Sequence, residues 1–451
     1  MTRPEARVEF LDPVAAEDAQ RRAAGTLRRA GLRAGDRVAF CLRSSADLLN
    51  CVLGAARTGI VPVLLNATLL GAERDVLVAD AEPAMVIDDE EDLARLLTGA
   101  PAELAPFPLT RPMHYTSGTT GRAKGVWSGV LTDEEARGLF EDEAELWGFD
   151  AGDTHLVCSP MYHSVAIRLA SASLLRGGRL IVLSRFDAAL AAQVLRQHRP
   201  TTTFMAPTAL QRLLADPRTE ERIDSLRLLI HAGSACPARL KRAALARTRP
   251  GALWEFYGST EGQFTVCSPE DWEAHPGTVG RARAGRRIGV DDGGVIWCEA
   301  PGFARFEYWR DPDATARAWR DGAFTVGDVG HLDDEGFLFL DGRRDDLVIT
   351  GGVNVYPAEV EAVLADVPGV AEVAVFGVDD PQWGERVCAA VVGHVDVDVD
   401  ALSSHARAHL APYKRPKQYF ALDELPRTAT GKLRRRDLPD ALGLATDETS
   451  A

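Results

Sequence analysis

Short apolar runs punctuate the chain, and amphipathic stretches lie between them. DRVAFCL (36–42), VPVLLN (61–66), PAMVID (83–88), THLVCSP (154–160), GRLIVLS (178–184), TTFMAP (202–207) and LRLLIHAG (226–233) are brief and mostly aliphatic. That pattern predicts strands buried on both faces. ADLLNCVLGAAR (46–57), AALAAQVLRQH (188–198) and PARLKRAALAR (237–247) carry their apolar residues at helical spacing instead. Alternation of the two kinds predicts an α/β fold, with parallel sheets covered by helices. The most apolar window, Leu48 to Leu70, is interrupted by Asn50, Arg57, Gly59, Pro62 and Asn66. It is expected to be a buried helix followed by a strand, not a membrane span.

The texture changes along the chain. From about Gly277 short strands punctuated by glycine appear, as in GGVIWCEA and GFLFLDGRR, which suits a small β-barrel-like subdomain over 277–344. Beyond Asp345, YPAEVEAVLADV and ALSSHARAHL read as helices, and VAEVAVFGV and RVCAAVVG as strands. The expected division is a large N-terminal domain of parallel-sheet α/β subdomains over 1–344 and a small α/β C-terminal domain over 345–451.

Composition narrows the function. A chain of 451 residues that is 46% hydrophobic and 26% charged has the make-up of an ordinary soluble globular protein. Its net charge of −15 argues against nucleic acid or an anionic membrane as partner, because either would repel its average field. The seven cysteines form no CxxC pair, which reads as reduced thiols of a cytoplasmic protein. No histidine pair has metal-ligand spacing. No GxSxG elbow supports a serine hydrolase. The N-terminus, acidic early and without a long apolar core, has no secretory signal pattern.

Candidate chemistry begins at MHYTSGTTGRAKGV (113–126). A strand ending near Tyr115 runs into small residues and hydroxyls, which makes either a backbone nest for phosphate oxygens or a loose surface linker. It is not a GxxxxGK[ST] loop, since Lys124 comes three residues after Gly121. The chain is arginine-rich, with only five lysines, at 124, 241, 414, 417 and 432. Two of them, Lys124 and Lys432, sit in glycine-containing segments, where a compact ammonium and a guanidinium are not interchangeable.

YTSGTTGRAKG (115–125), FYGSTEG (256–262), TVGDVGHLDDEGFLFLDGRRDD (325–346), ITGGVNVYPAEVE (349–361) and PRTATGKL (426–433) together resemble the ordered signature of the adenylate-forming superfamily. PMYHS (160–164) and GSACPARLKRA (233–243) are most similar to its bacterial acyl- and aryl-CoA ligases. The resemblance implies ATP-dependent activation of a carboxylic acid as an acyl-adenylate, with Mg²⁺, followed by transfer to a thiol and release of AMP. The thiol is that of coenzyme A. The alternatives are a carrier protein's pantetheine arm or, with nitrite as the activated acid, diazotisation of an aryl amine.

The same resemblance assigns roles. Thr116, Ser117, Gly118, Thr119, Thr120, Gly121 and Lys124 would hold the departing phosphates. Glu261 would bind the metal, and Thr260 would meet the α-phosphate. Tyr257 and Gly258 would take one side of the adenine, and Gly233, Ser234 and Ala235 the other. Asp328 and Arg343 would bind the ribose hydroxyls from a β-hairpin. Lys432 would stabilise charge in the adenylating transition state. His163 would border the acyl pocket, Asp345 would be the hinge of a mobile C-terminal domain, and Gly352 would line the thiol's path. The chain departs from the common pattern at Ala123, at Ser128–Gly129 and in the abbreviated RARAGRRIGVDDGG (281–294).

Overall fold

Each of the seven apolar runs holds a strand in the computed structural model, which describes residues 6–69, 71–116, 123–219, 223–343, 346, 348–350, 353–380, 383–393, 397–427 and 433–444. The described residues fall into two compact units, one formed by 6–287 with 298–324 and the other by 288–297 with 325–444. The β-rich stretch expected from Gly277 consists of short paired strands shared between them.

The first unit contains two sheets. In the larger, strands Arg179–Leu183, Thr154–Val157, Thr202–Met205, Leu228–His231 and Leu253–Gly258 lie side by side and parallel. Antiparallel Val8–Leu11 closes one side, and Gln263–Cys267 with Arg281–Ala282 the other. The run GRLIVLS explains why this sheet is central. Leu180 and Val182 join one core with Leu49, Leu53 and Val157, whereas Ile181 and Leu183 join another with Leu156, Ala192 and Leu195. Successive side chains point to opposite faces, so an uninterrupted apolar strand needs helices on both. Helices Ala46–Ala56 and Ala188–His198 supply one for each face.

The second sheet orders Glu307–Tyr308, Lys124–Trp127, Met113–Thr116, Val61–Leu64, Arg37–Phe40 and Met85–Ile87. Its last four strands are parallel, and the first two run antiparallel. The window Leu48 to Leu70 is a buried helix followed by a strand, as its interruptions require.

In the second unit, the long hairpin of Val370–Asp380 and Gly384–Gly393 carries Gln418–Ala421 parallel to it, and helices Pro357–Leu364 and Val399–His409 cover the sheet. The basic stretch Arg434–Arg436 is not merely a solvated stripe. Arg435 is largely buried and bonds Asp346 at 2.7 Å, Glu361 at 2.6 Å and the Val375 carbonyl oxygen at 2.7 Å. It ties the chain's last described segment to the residue following Asp345.

Two kinds of buried titratable group set up measurable behaviour. Lys241 donates to Glu255 at 2.6 Å inside the first unit, both groups being almost wholly buried. Burial holds the Glu255 carboxyl above its usual range despite the lysine. Lys241→Ala strands that carboxylate and is expected to cost about 3–5 kcal/mol of stability. The double change Lys241→Met with Glu255→Leu costs much less, as urea midpoints will show.

Buried His114 and His155 form the second kind, with pKa values pushed down to about 3 and about 4 by desolvation. The unfolded chain binds protons at both below about pH 6.5 and the folded chain does not. Their contribution is therefore complete above that pH and lost as pH falls towards 4 and then 3. The urea midpoint should drop between pH 7 and pH 5, and drop less when both residues are asparagine.

Candidate active site

The carboxyl ends of the parallel strands in the larger sheet deliver several of the expected residues to one edge. Thr154–Val157 leads through Tyr162 to His163, which starts helix Ser164–Leu175. Leu228–His231 leads to Gly233, Ser234 and Ala235, and the adjacent Leu253–Gly258 ends in Tyr257 and Gly258. The strand at Thr154–Val157 has Arg179–Leu183 on one side and Thr202–Met205 on the other, so the strand order reverses there. Ligands of open α/β sheets bind outside the strand carboxyl ends at such a reversal.

Gly233 has φ +93° with open space where a side chain would stand, and Ser234 and Ala235 are exposed, as a wall for a flat ligand requires. Tyr257 is buried, its ring 4.9 Å from that of Phe264. His163 has its ring 4.3 Å from that of Tyr162.

The turn from Ser259 to Gly262 is forced by its own backbone. Ser259 N–H donates to the Gly262 carbonyl at 2.8 Å. A Cβ on Gly258 would lie 2.6 Å from that same oxygen, and one on Gly262 would strike the Phe324 ring at 2.6 Å. No side chain fits at either position, so the chain reverses tightly and presents Thr260 and Glu261. Arg111 fixes the turn by donating to the Thr260 carbonyl at 3.0 Å, while its other terminal nitrogen reaches the Ser128 hydroxyl at 3.3 Å. Ser128 is one of the positions where the sequence departs from the common pattern.

Thr116 and Lys124 face each other at the loop end of the hairpin formed by Met113–Thr116 and Lys124–Trp127. Ser117, Gly118, Thr119, Thr120 and Gly121 lie outside the described residues. Strand Glu307–Tyr308 pairs with Lys124–Trp127 and places the Tyr308 ring 4.9 Å beneath the Lys124 ammonium. The Tyr308 hydroxyl donates to Glu261 Oε1 at 2.9 Å. One tyrosine therefore joins Lys124 of one sheet to the Glu261 carboxylate at the end of the other. Sequence reasoning missed Tyr308 and Arg111; their signal is only tertiary, apart from the tyrosine's place in the aromatic pair Tyr308–Trp309.

Glu261 suits a magnesium ion. It is buried, holds one oxygen by a phenol, and among the described residues no group of three or more His, Cys, Asp or Glu could cage a metal. Magnesium keeps most of its waters and phosphate oxygens, so a single protein carboxylate is an adequate anchor.

Behind Glu261 lies a cavity of about 130 Å³ whose wall mixes apolar side chains with four guanidinium groups and three carboxylates. Helix Asp133–Trp147 contributes Asp142 and Glu143. Asp142 takes both Arg283 at 2.7 Å and Arg286 at 2.9 Å. Glu143 is fully buried. Burial alone would raise its pKa, but Arg168, Arg283 and the Trp147 indole N–H hold it below the usual value. The Gln263 side-chain nitrogen leans on Glu143 at 3.4 Å, leaving Gln263 Oε1 without a donor.

In the second unit, Asp328 and Arg343 are direct partners at the open end of the hairpin of Asp328–Leu332 and Leu338–Arg343. The expectation that a hairpin brings them together holds for their backbones. Asp345, Gly352 and Lys432 lie outside the described residues.

The chain matches the AMP-binding enzyme family over residues 15–106 and 112–302, and the AMP-binding enzyme C-terminal domain over 359–432. It is 32% identical to a 2-succinylbenzoate–CoA ligase of Geobacillus sp. (strain WCH70), covering 91% of this chain and 89% of the relative. It is also 32% identical to an indoleacetate–CoA ligase of Aromatoleum aromaticum, covering 92% and 90%. Among solved structures it is similar to the o-succinylbenzoate CoA synthetase of Bacillus subtilis in complex with an acyl-adenylate, with a TM-score of 0.84, 29% identity, and 94% and 92% coverage. That enzyme is also solved with ATP and a magnesium ion. With motifs, strand order and full-length similarity in agreement, the chain belongs to the AMP-binding enzyme family of adenylate-forming proteins and is an AMP-forming acid–thiol ligase.

Proposed function

We propose that the chain joins a carboxylic acid to ATP, releases pyrophosphate and passes the resulting acyl group from AMP to the thiol of coenzyme A. The observation that carries this reading is the line Lys124–Tyr308–Glu261, which unites an ammonium and a hard oxygen ligand at the end of a phosphate-type hairpin. Coenzyme A is taken as acceptor because both relatives named above are CoA ligases.

The acid's carboxylate attacks the α-phosphorus in line with the departing pyrophosphate, and both reactants are anions. Lys124 and the loop before it neutralise the leaving phosphates, and Glu261 would hold magnesium, which when bound would supply further charge neutralisation there. Thr260 meets the α-phosphate, and His163 borders the carboxylate. Tyr257, Gly258 and the Gly233–Ala235 wall enclose the base. Asp328 and Arg343 bind the ribose. Lys432 stabilises the transition-state charge. The chain then turns at Asp345, within a C-terminal domain of 345–451, so that the segment around Gly352 lines the thiol's path.

A cytoplasmic setting agrees with cysteines that are all free and mostly buried. Burial pushes the thiols of Cys158, Cys236, Cys267 and Cys298 up to about 12, which keeps them unreactive. No helix among the described residues is long and apolar enough to cross a membrane.

AMP formation from ATP, measured across a panel of acids with and without coenzyme A, tests the reading directly. Lys432→Ala should lower acid-dependent pyrophosphate exchange by about 10²–10³-fold with the circular dichroism unchanged; exchange near the wild-type rate would remove the lysine from the mechanism. Tyr308→Phe deletes a hydrogen bond to a charged group, worth about 1.5–3 kcal/mol. The magnesium concentration giving half-maximal exchange should rise about tenfold or more. A fall in melting temperature with no change in that requirement would make the tyrosine a packing residue only.

A further inference from the structure

The cavity behind Glu261 contains more cationic groups than the protein neutralises. Four guanidinium groups line it against three carboxylates. Arg283 and Arg286 are taken up by Asp142. Glu261 is reserved for the metal in the reading above, and this inference rests on that reading. Arg111 and Arg168 are what remain.

Arg111 is half-buried, and its guanidinium donates only to uncharged oxygens, those of Thr260 and Ser128; among the described residues no carboxylate pairs with it. Burial and the neighbouring Arg168 pull its pKa down to about 10, so it remains cationic at neutral pH. Arg168 approaches Glu143 at 3.1 Å through Nε, which lacks hydrogen-bond geometry, and lies over the Phe256 ring. Its two terminal nitrogens donate to nothing among the described residues. Glu143 is meanwhile shared with Arg283, Trp147 and Gln263.

Two neighbouring half-buried guanidinium groups, only one of them near a carboxylate, repel each other and are costly to hold partly out of water. An anion entering the cavity relieves both terms, and a carboxylate matches the planar donor fork of arginine. We propose that the acid activated by this chain is a short dicarboxylic acid, whose second carboxylate is held by Arg111 and Arg168 while the first is adenylated.

Size limits the skeleton. A cavity of about 150 Å³ accommodates one benzene ring, and this one is about 130 Å³. A chain of four to six carbons or a single ring fills it, with Phe140 and Ile167 on the apolar side, and a long acyl chain does not. Gln263 Oε1, the acceptor without a donor, offers a place for a hydroxyl or amino substituent on that skeleton.

The test is acid-dependent pyrophosphate exchange on the full chain with matched pairs, succinate against butyrate and isophthalate against benzoate, with decanoate as the long chain. The diacid of a pair should exceed its monoacid at least tenfold in kcat/KM. Arg168→Gln should reduce that ratio tenfold or more, and Arg168→Lys should restore part of it. A rise in the wild-type melting temperature with the preferred diacid alone, absent with its monoacid, supports the same site without relying on a variant that folds. Monoacids or decanoate used as well as the diacids would overturn the proposal and leave the ligase reading standing. Failure of every acid to yield AMP would overturn the ligase reading and this inference with it.

Discussion

The tight reversal between Ser259 and Gly262 is the constraint on which the N-terminal site depends. Two glycines that admit no Cβ let the backbone close on itself, and the enclosed Thr260 and Glu261 have no freedom to be elsewhere. The neighbours then secure them: Arg111 from the segment leading into Met113–Thr116, Tyr308 from strand Glu307–Tyr308, and Phe324 against Gly262. A metal ligand on a flexible loop would lose orientation with each fluctuation. Here the carboxylate is positioned by steric exclusion before any ligand arrives, the kind of preorganisation on which electrostatic catalysis rests.

Charge is used in two distinct ways in the same unit. Lys241 with Glu255 is a closed pair, with the buried His231 beside it and no net charge left for a ligand. Around the cavity the carboxylates are outnumbered and shared, so the arginines form an incomplete network. Completed networks specify structure, whereas an incomplete one of the same chemistry makes a receptor.

The sheets were legible because runs such as GRLIVLS are apolar at every position, which only a strand covered on both faces tolerates. Thr116, Lys124, Thr260, Glu261 and Asp328 stood out as candidates because YTSGTTGRAKG, FYGSTEG and TVGDVG resemble motifs of the adenylate-forming superfamily. Tyr308 was not. It sits in a two-residue strand with no periodicity, and its partner lies 47 positions away in sequence. Arg111 was equally hidden, one arginine among many, and distinguished only by its bond to the Thr260 carbonyl 149 positions away. The burial of Arg435 was not legible either, because sequence gives charge and not burial; Asp346 and Glu361, 89 and 74 positions earlier, draw it inside. Local chemistry is written in order along the chain, and the assembly of distant groups is not.

The Arg435 anchor separates two structural tasks. By gripping both Asp346 and Glu361 it makes the tail of the second unit and the segment next to Asp345 parts of one solid body. The cavity is built entirely from the first unit. Residues that line the cavity can therefore change without touching the Arg435 anchor.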